Sequence, residues 1–158
     1  HLWYNRNNLL SGGIKPHNYC LPILKKKCDQ LILREAATSG NEKFFAGTDS
    51  APHDRKSKES TCGCAGCFTG YNPIELYLEI FDKENKLINK NCIEKFLSIN
   101  GSHFYNLECN KMTVKYEKIT NIKDTDQTIY PIPNSFKVSD TIDIVPFLAG
   151  ETLSYVQI

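Results

Sequence analysis

The 158-residue sequence has little excess charge and no long apolar run. Lysine and arginine number 19 against 18 acidic residues, and a net charge of +1 gives no sign of a nucleic-acid surface or an acidic partner. No stretch approaches the roughly 20 apolar residues that a membrane-spanning helix requires, and no secretory leader is visible. We therefore expect a cytoplasmic chain that contacts neither nucleic acid nor a membrane.

The sequence also lacks an initiating methionine. It opens on His1 and continues directly into the apolar residues Leu2, Trp3 and Tyr4, so we expect its start to lie inside a longer gene product. The seven cysteines are an odd number, and a chain of this length does not need disulfides to hold a core. We expect these thiols to be mostly reduced.

Apolar spacing predicts two long helices and a short buried strand in the first half of the chain. Residues 25–39 read as a helix that Gly40 terminates, and Pro73 begins the second helix. Between them, residues 44–46 read as a strand running into Asp49, followed by a long loop over 50–70. The apolar faces expected of the helices are Cys28, Leu31, Ile32 and Ala36 in the first and Ile74, Tyr77, Leu78 and Phe81 in the second.

The second half changes from helical to alternating periodicity. A helix is predicted over about 91–99, stopping at Asn100-Gly101, and alternation over 112–116 predicts a strand. Residues 120–141 read as loop and 142–158 as extended chain with a turn at Gly150. A helix followed by a buried strand and a long loop is typical of α/β barrels and doubly wound sheets, but one such strand makes neither. The elements therefore indicate part of an α/β fold.

Two residues after the predicted strand could carry chemistry. Asp49 stands where the strand ends, the position that holds catalytic groups in α/β barrels, and its carboxylate could bind a metal or move a proton. His53, four residues on, could bind metal or an anionic substrate. A loop-capping aspartate and an exposed histidine explain the same residues equally simply. The remaining histidines have neither a carboxylate nor a histidine at ligand spacing.

The segment Cys62-Gly63-Cys64-Ala65-Gly66-Cys67 is a dense cysteine cluster. Thiolates at this spacing can bind zinc, but a structural zinc site needs four ligands, and Cys92 and Cys109 are isolated. The small residues also suit a loop whose backbone approaches a ligand closely. Both interpretations remain open from spacing alone.

Five strings of this sequence resemble the bacterial single-function dihydroorotases of the amidohydrolase superfamily, in family order. They are residues 1–7 (HLWYNRN), 15–25 (KPHNYCLPILK), 47–53 (GTDSAPH), 58–68 (KESTCGCAGCF) and 145–152 (VPFLAGET). The resemblance implies the C-terminal part of a (β/α)₈ TIM barrel. Residues 1–109 would run from the end of the seventh strand through the eighth helix, with 44–49 as the eighth strand. Residues 110–158 would form a small β-rich extension packing on the barrel.

The resemblance also implies roles for individual residues. Asp49 corresponds to a metal-binding aspartate that is also the catalytic base, and His53 to a residue that binds the substrate carboxylate. Leu21 and Ala65 correspond to positions that contact the pyrimidine ring, largely through backbone groups. The substrate would be dihydroorotate or N-carbamoyl-L-aspartate, interconverted in pyrimidine biosynthesis, by an enzyme expected to be a homodimer.

The family's other zinc ligands have no counterpart in this sequence. A complete site would hold two Zn²⁺ ions bridged by a carboxylated lysine outside this chain, so the missing N-terminal part of the barrel is an expected partner. One carboxylate cannot hold two ions, and the isolated segment should be inactive. A small zinc module built on the cysteine loop and a catalytically dead scaffold homologue are the alternatives.

Overall fold

The computed structural model describes residues 1–87, 89–119 and 131–158. Their contacts divide them into two compact units: residues 1–30, 48–73 and the described part of 130–152 form the first, and residues 31–47, the described part of 74–129 and 153–158 form the second. Among the described residues, no helix combines the length and apolar character needed to cross a bilayer.

The first unit is mostly loop, pinned by short elements. Helix α1 (Arg6–Leu10) is N-capped by Asn5, whose side chain accepts a hydrogen bond from the Asn7 N–H, and a 3₁₀ turn follows at Pro16–Asn18. Helix α3 (Arg55–Lys58) interrupts the loop predicted over 50–70. The buried core of the first unit includes Leu9, Leu24 and Ile132.

Two short strands complete the first unit. Strand β2 (Phe136–Lys137) pairs antiparallel with β3 (Asp143–Ile144), so part of the loop predicted at 120–141 is a strand, and the rest of that loop lies partly outside the described residues. Beyond β3 the chain turns at Gly150, whose φ is +80°, as predicted.

The second unit contains helices and a two-stranded sheet. It contains most of α2 (Lys27–Thr38), α4 (Pro73–Lys83) and the antiparallel pair β1 (Tyr116–Lys118) and β4 (Tyr155–Gln157). Ile80 and Phe81 are fully buried, and the Phe81 and Phe96 rings lie 5.7 Å apart. The predicted strand over 112–116 is shifted, because Met112 is 91% exposed and pairing begins only at Tyr116.

The helix predicted to stop at Asn100-Gly101 continues through it. Helix α5 (Lys90–Glu94), a π turn (Lys95–Ile99) and α6 (Asn100–Phe104) follow one another without a break. The Asn100 side chain is buried and donates to the carbonyls of Asn41 and Phe44, and Gly101 lies against the Phe45 ring. Tertiary contacts thus override two residues that usually end helices.

Three further predictions were wrong. Residues 44–49 form no strand, because no strand among the described residues pairs with them; the Ala46 N–H donates instead to the Phe96 carbonyl. The face predicted to be buried in α2 is exposed, with Leu31 at 49% and Ile32 at 64%, whereas Ala37 and Thr38 are buried. In α4, burial falls on Leu76, Glu79, Ile80 and Phe81, of which only Phe81 was in the predicted face.

Candidate functional site

Asp49 lies in a segment clamped from both sides. Asp49 is exposed and has a left-handed backbone conformation, with φ at +43°. The carbonyl of Thr48 accepts a hydrogen bond from the Thr69 hydroxyl at 3.0 Å, and the Ser50 hydroxyl accepts one from the Gly70 N–H at 2.8 Å. A non-glycine residue with positive φ costs free energy and persists where its surroundings fix it. The fold thus presents this carboxylate outward on a held backbone.

His53 and Ala65, twelve residues apart in sequence, are brought together. The imidazole Nε2 lies 3.1 Å from the Ala65 carbonyl oxygen. A carbonyl only accepts, so Nε2 carries the proton in this arrangement. Glycine is required at position 66 beside them, because an added Cβ would lie 2.7 Å from the Ala51 Cβ and 2.8 Å from Nε2 of His53.

The segment containing Leu21 is joined to the same loop. The Gly66 N–H donates to the Tyr19 carbonyl at 3.0 Å, and the Cys67 carbonyl accepts from the Ala51 N–H at 2.9 Å. The Leu21 side chain is 60% exposed. Backbone hydrogen bonds therefore connect the neighbourhoods of three predicted ligand contacts, Leu21, His53 and Ala65.

Lys58, which the sequence did not single out, lies under this loop. It is 3% exposed, and its ammonium donates to the carbonyls of Tyr19, Cys64 and Gly66 at 2.9, 2.6 and 2.8 Å. Burial lowers its pKa, because the charged form loses water. A lysine in a polar loop gives no sequence signal for such burial; only the convergence of three carbonyls reveals it.

A second unpredicted contact ties the loop's outer edge. The His17 imidazole lies against the Glu59 carboxylate, with 2.9 Å between Nε2 and the carboxylate oxygen. The absence of a carboxylate near His17 in sequence had suggested no such partner. The two residues are 42 positions apart, so spacing could not have found the pair.

Cys67 of the cysteine cluster interacts with Cys20, which lies outside the cluster. All seven cysteines are free. A hydrogen bond from Cys67 lowers the pKa of Cys20 to about 6, and the same hydrogen bond together with burial raises the pKa of Cys67. The negative charge of Asp49 works against this lowering of the Cys20 pKa, and Cys20 directly precedes Leu21.

The described side chains show which residues could bind a metal ion. Among the described residues, no group of three or more histidine, cysteine, aspartate or glutamate side chains could hold a metal ion. Asp49 fits as a single oxygen ligand, because its carboxylate is exposed on a clamped backbone. The described residues therefore offer one ligand toward a metal centre.

Comparison with known proteins gives a consistent answer. No family model matches the chain. It is 51% identical over 155 residues to a dihydroorotase of Vibrio vulnificus strain CMCP6 and 48% identical to one of Acinetobacter baumannii strain AYE, covering 98% of this chain and 42% of each relative. The chain thus spans about two-fifths of the length of the curated relatives that it matches.

Solved structures agree in fold. Dihydroorotase from Saccharomyces cerevisiae, crystallised with 5-fluoroorotic acid, superposes with a TM-score of 0.78 at 28% identity, covering 100% of this chain and 41% of the yeast chain. Dihydroorotase from Campylobacter jejuni gives a TM-score of 0.78 at 31% identity, covering 99% and 41%. By sequence and by fold, the chain corresponds over nearly its whole length to a C-terminal portion of the dihydroorotases.

Proposed function

We propose that the chain supplies part of the active site of a dihydroorotase, which reversibly cyclises N-carbamoyl-L-aspartate to (S)-dihydroorotate in de novo pyrimidine biosynthesis. The observation that carries this proposal is the 51% identity over 98% of the chain, combined with the linkage of the predicted ligand-contact segments by backbone hydrogen bonds. The remainder of the site would come from the N-terminal part of the protein, which we expect to complete a TIM barrel.

Asp49 would move the proton. In the hydrolytic direction its carboxylate takes a proton from the water that attacks the ring carbonyl and delivers that proton to the ring nitrogen as the C–N bond breaks, acting as base and then as acid. Asp49 would also be one ligand of two Zn²⁺ ions, which when bound acidify water and polarise the carbonyl. The exposed carboxylate on a clamped backbone supports both roles.

His53 would hold the substrate carboxylate. Nε2 already carries a proton in its bond to Ala65, so protonation of the second ring nitrogen beside an anion gives a charge-assisted donor. The backbone of Ala65 and Leu21 would face the flat ring. Leu21 has an exposed side chain, and Gly66, which lacks a Cβ, admits the close approach of His53 and Ala51 to this backbone.

The test is made on the complete protein, this chain joined to its N-terminal portion, loaded with zinc. We expect hydrolysis of dihydroorotate and cyclisation of carbamoyl-aspartate, both followed by ultraviolet absorbance. Asp49→Ala should lower kcat by about 10²–10⁴-fold or more. Asp140→Ala removes another exposed carboxylate and should leave kcat unchanged.

Near-normal kcat in Asp49→Ala would refute the assignment. Metal analysis of Cys64→Ser addresses the cysteine loop, and we expect its zinc content to remain full. Loss of two zinc equivalents would instead favour a cysteine-held metal. The isolated 158-residue chain should show no turnover. We also propose that the complete protein is a homodimer, and light scattering tests this through its mass. We propose that residues 1–109 belong to the barrel and residues 110–158 to an extension; the mass of a version ending at residue 109 tests this division.

A further inference from the structure

Lys58 is a buried cation with a complete set of acceptors. It is the last residue of α3, whose N-terminus is fixed by the Asp54 side chain accepting from the Lys56 N–H. A lysine ammonium has three donors and no acceptor, and three carbonyls take all three at 2.9 Å or less. A buried charge is costly unless it is satisfied in this way. The three carbonyls therefore form a binding site for the Lys58 ammonium.

The three acceptors belong to two separate segments. One is Tyr19, in the segment before Leu21; the other two are Cys64 and Gly66, which flank Ala65 on both sides. The ammonium thus joins the two stretches of backbone that the proposed function assigns to the ligand ring. His53 contacts Ala65 from its own segment.

The loop backbone needs such a tie. Gly63, Cys64 and Gly66 have φ values of +71°, +33° and +146°, and the value at Cys64 is unusual for a residue with a side chain. The carbonyls of Cys64 and Gly66 converge on one point, where their partial negative charges would repel each other without a cation between them. Lys58 occupies that point, and the Tyr19 ring centroid lies 5.7 Å from its nitrogen.

We propose that Lys58 is a positioning residue for substrate binding: its ammonium fixes the backbone of Ala65 and of the Leu21 segment at the separation that a planar cyclic amide requires. This inference rests on the proposed dihydroorotase function. Lys58 touches no reacting atom and acts through the backbone that it holds.

The experiment uses the complete, zinc-loaded protein with three variants. Lys58→Met removes the donors while keeping most of the stem. Lys58→Arg keeps the charge, but its planar guanidinium does not match three carbonyls that converge on one tetrahedral nitrogen. Lys56→Met, on the exposed side of the same helix, is the matched control. Zinc content, kcat, KM for dihydroorotate and amide hydrogen exchange over residues 62–67 are measured for each.

We expect KM to rise at least about tenfold in both Lys58 variants while zinc content is kept and kcat falls by a smaller factor. Exchange over residues 62–67 should accelerate, and exchange in α4 should not change. A purely structural role would lower the folded fraction, and with it kcat, but leave KM unchanged. Lys56→Met should match the wild type.

Three outcomes separate the possibilities. KM within about twofold of wild type in a folded Lys58 variant overturns the inference. If Lys58→Met does not fold, the KM of Lys58→Arg decides in the same way. If the wild-type protein has no turnover on dihydroorotate, the proposed function fails instead, and hydrogen exchange alone decides whether Lys58 holds the loop.

Discussion

Substitution of Gly66 by alanine tests the packing of the loop over residues 62–67 most directly. The new methyl would lie 2.7 Å from the Ala51 Cβ and 2.9 Å from the Ala51 carbonyl oxygen, both closer than atoms normally approach. The backbone φ of +146° is itself almost confined to glycine. Overpacking costs about 1–3 kcal/mol and the strained φ about 1–3 kcal/mol, so we expect a total loss of about 2–6 kcal/mol.

Two other glycines separate these contributions. Gly13 has φ at +114° with nothing within 4 Å of an added Cβ, so Gly13→Ala should show the strain alone, about 1–3 kcal/mol. Gly47 has neither a positive φ nor a near neighbour, and Gly47→Ala should change the stability by no more than about 1 kcal/mol in either direction.

Urea denaturation of the complete protein measures the series, with KM for dihydroorotate as a second readout. The free energy of unfolding should fall in the order Gly47→Ala, Gly13→Ala, Gly66→Ala, and only Gly66→Ala should raise KM. If Gly66→Ala were no less stable than Gly13→Ala, the close contacts around residue 66 would be wrong, and with them the route by which His53 and Ala65 meet.

Two further predictions follow from the pKa shifts. With its pKa lowered to about 6, Cys20 should be alkylated by iodoacetamide at pH 7 faster than the exposed Cys28, as measured by mass spectrometry of the peptides; Cys67→Ala should remove the advantage, and an unchanged rate would contradict the coupling. Burial and the neighbouring Asp82 and Glu79 raise the pKa of Tyr155 to about 12, so the stability from its neutral phenol is fully present below pH 10 and is lost as the pH rises toward 12. Tyr155→Phe should therefore weaken the alkaline loss of stability between pH 10 and 12, and equal slopes for variant and wild type would disprove this.

The sequence could propose residues for the site, but it could not predict the contacts between them. The position of Asp49 after an apolar run and the smallness of the 62–67 residues both indicated a ligand-facing edge. The contact between His53 and Ala65, the burial of Lys58 and the pairing of His17 with Glu59 depend on how distant loops meet, and no local pattern encodes that. Spacing finds neighbours only along one element.

The helices show the same limit. The sequence pattern located both ends of α2 to within two residues and the start of α4 at Pro73, because helical period and proline placement depend on local geometry. It did not predict which face of either helix is buried, because burial depends on the segments of the chain that pack against the helix. Asn100 and Gly101 have low helix propensity, but the hydrogen bonds from the Asn100 amide and the close approach of Phe45 to Gly101 decide the matter.

The cation that the carbonyls of Tyr19, Cys64 and Gly66 surround is the Lys58 ammonium, which is covalently part of the chain and which no chelator can remove. If the proposed function is correct, removal of zinc from the complete protein should leave these two backbone segments in place, because Lys58 and not a metal holds them. We therefore expect the metal-free protein to keep part of its affinity for an orotate-like molecule.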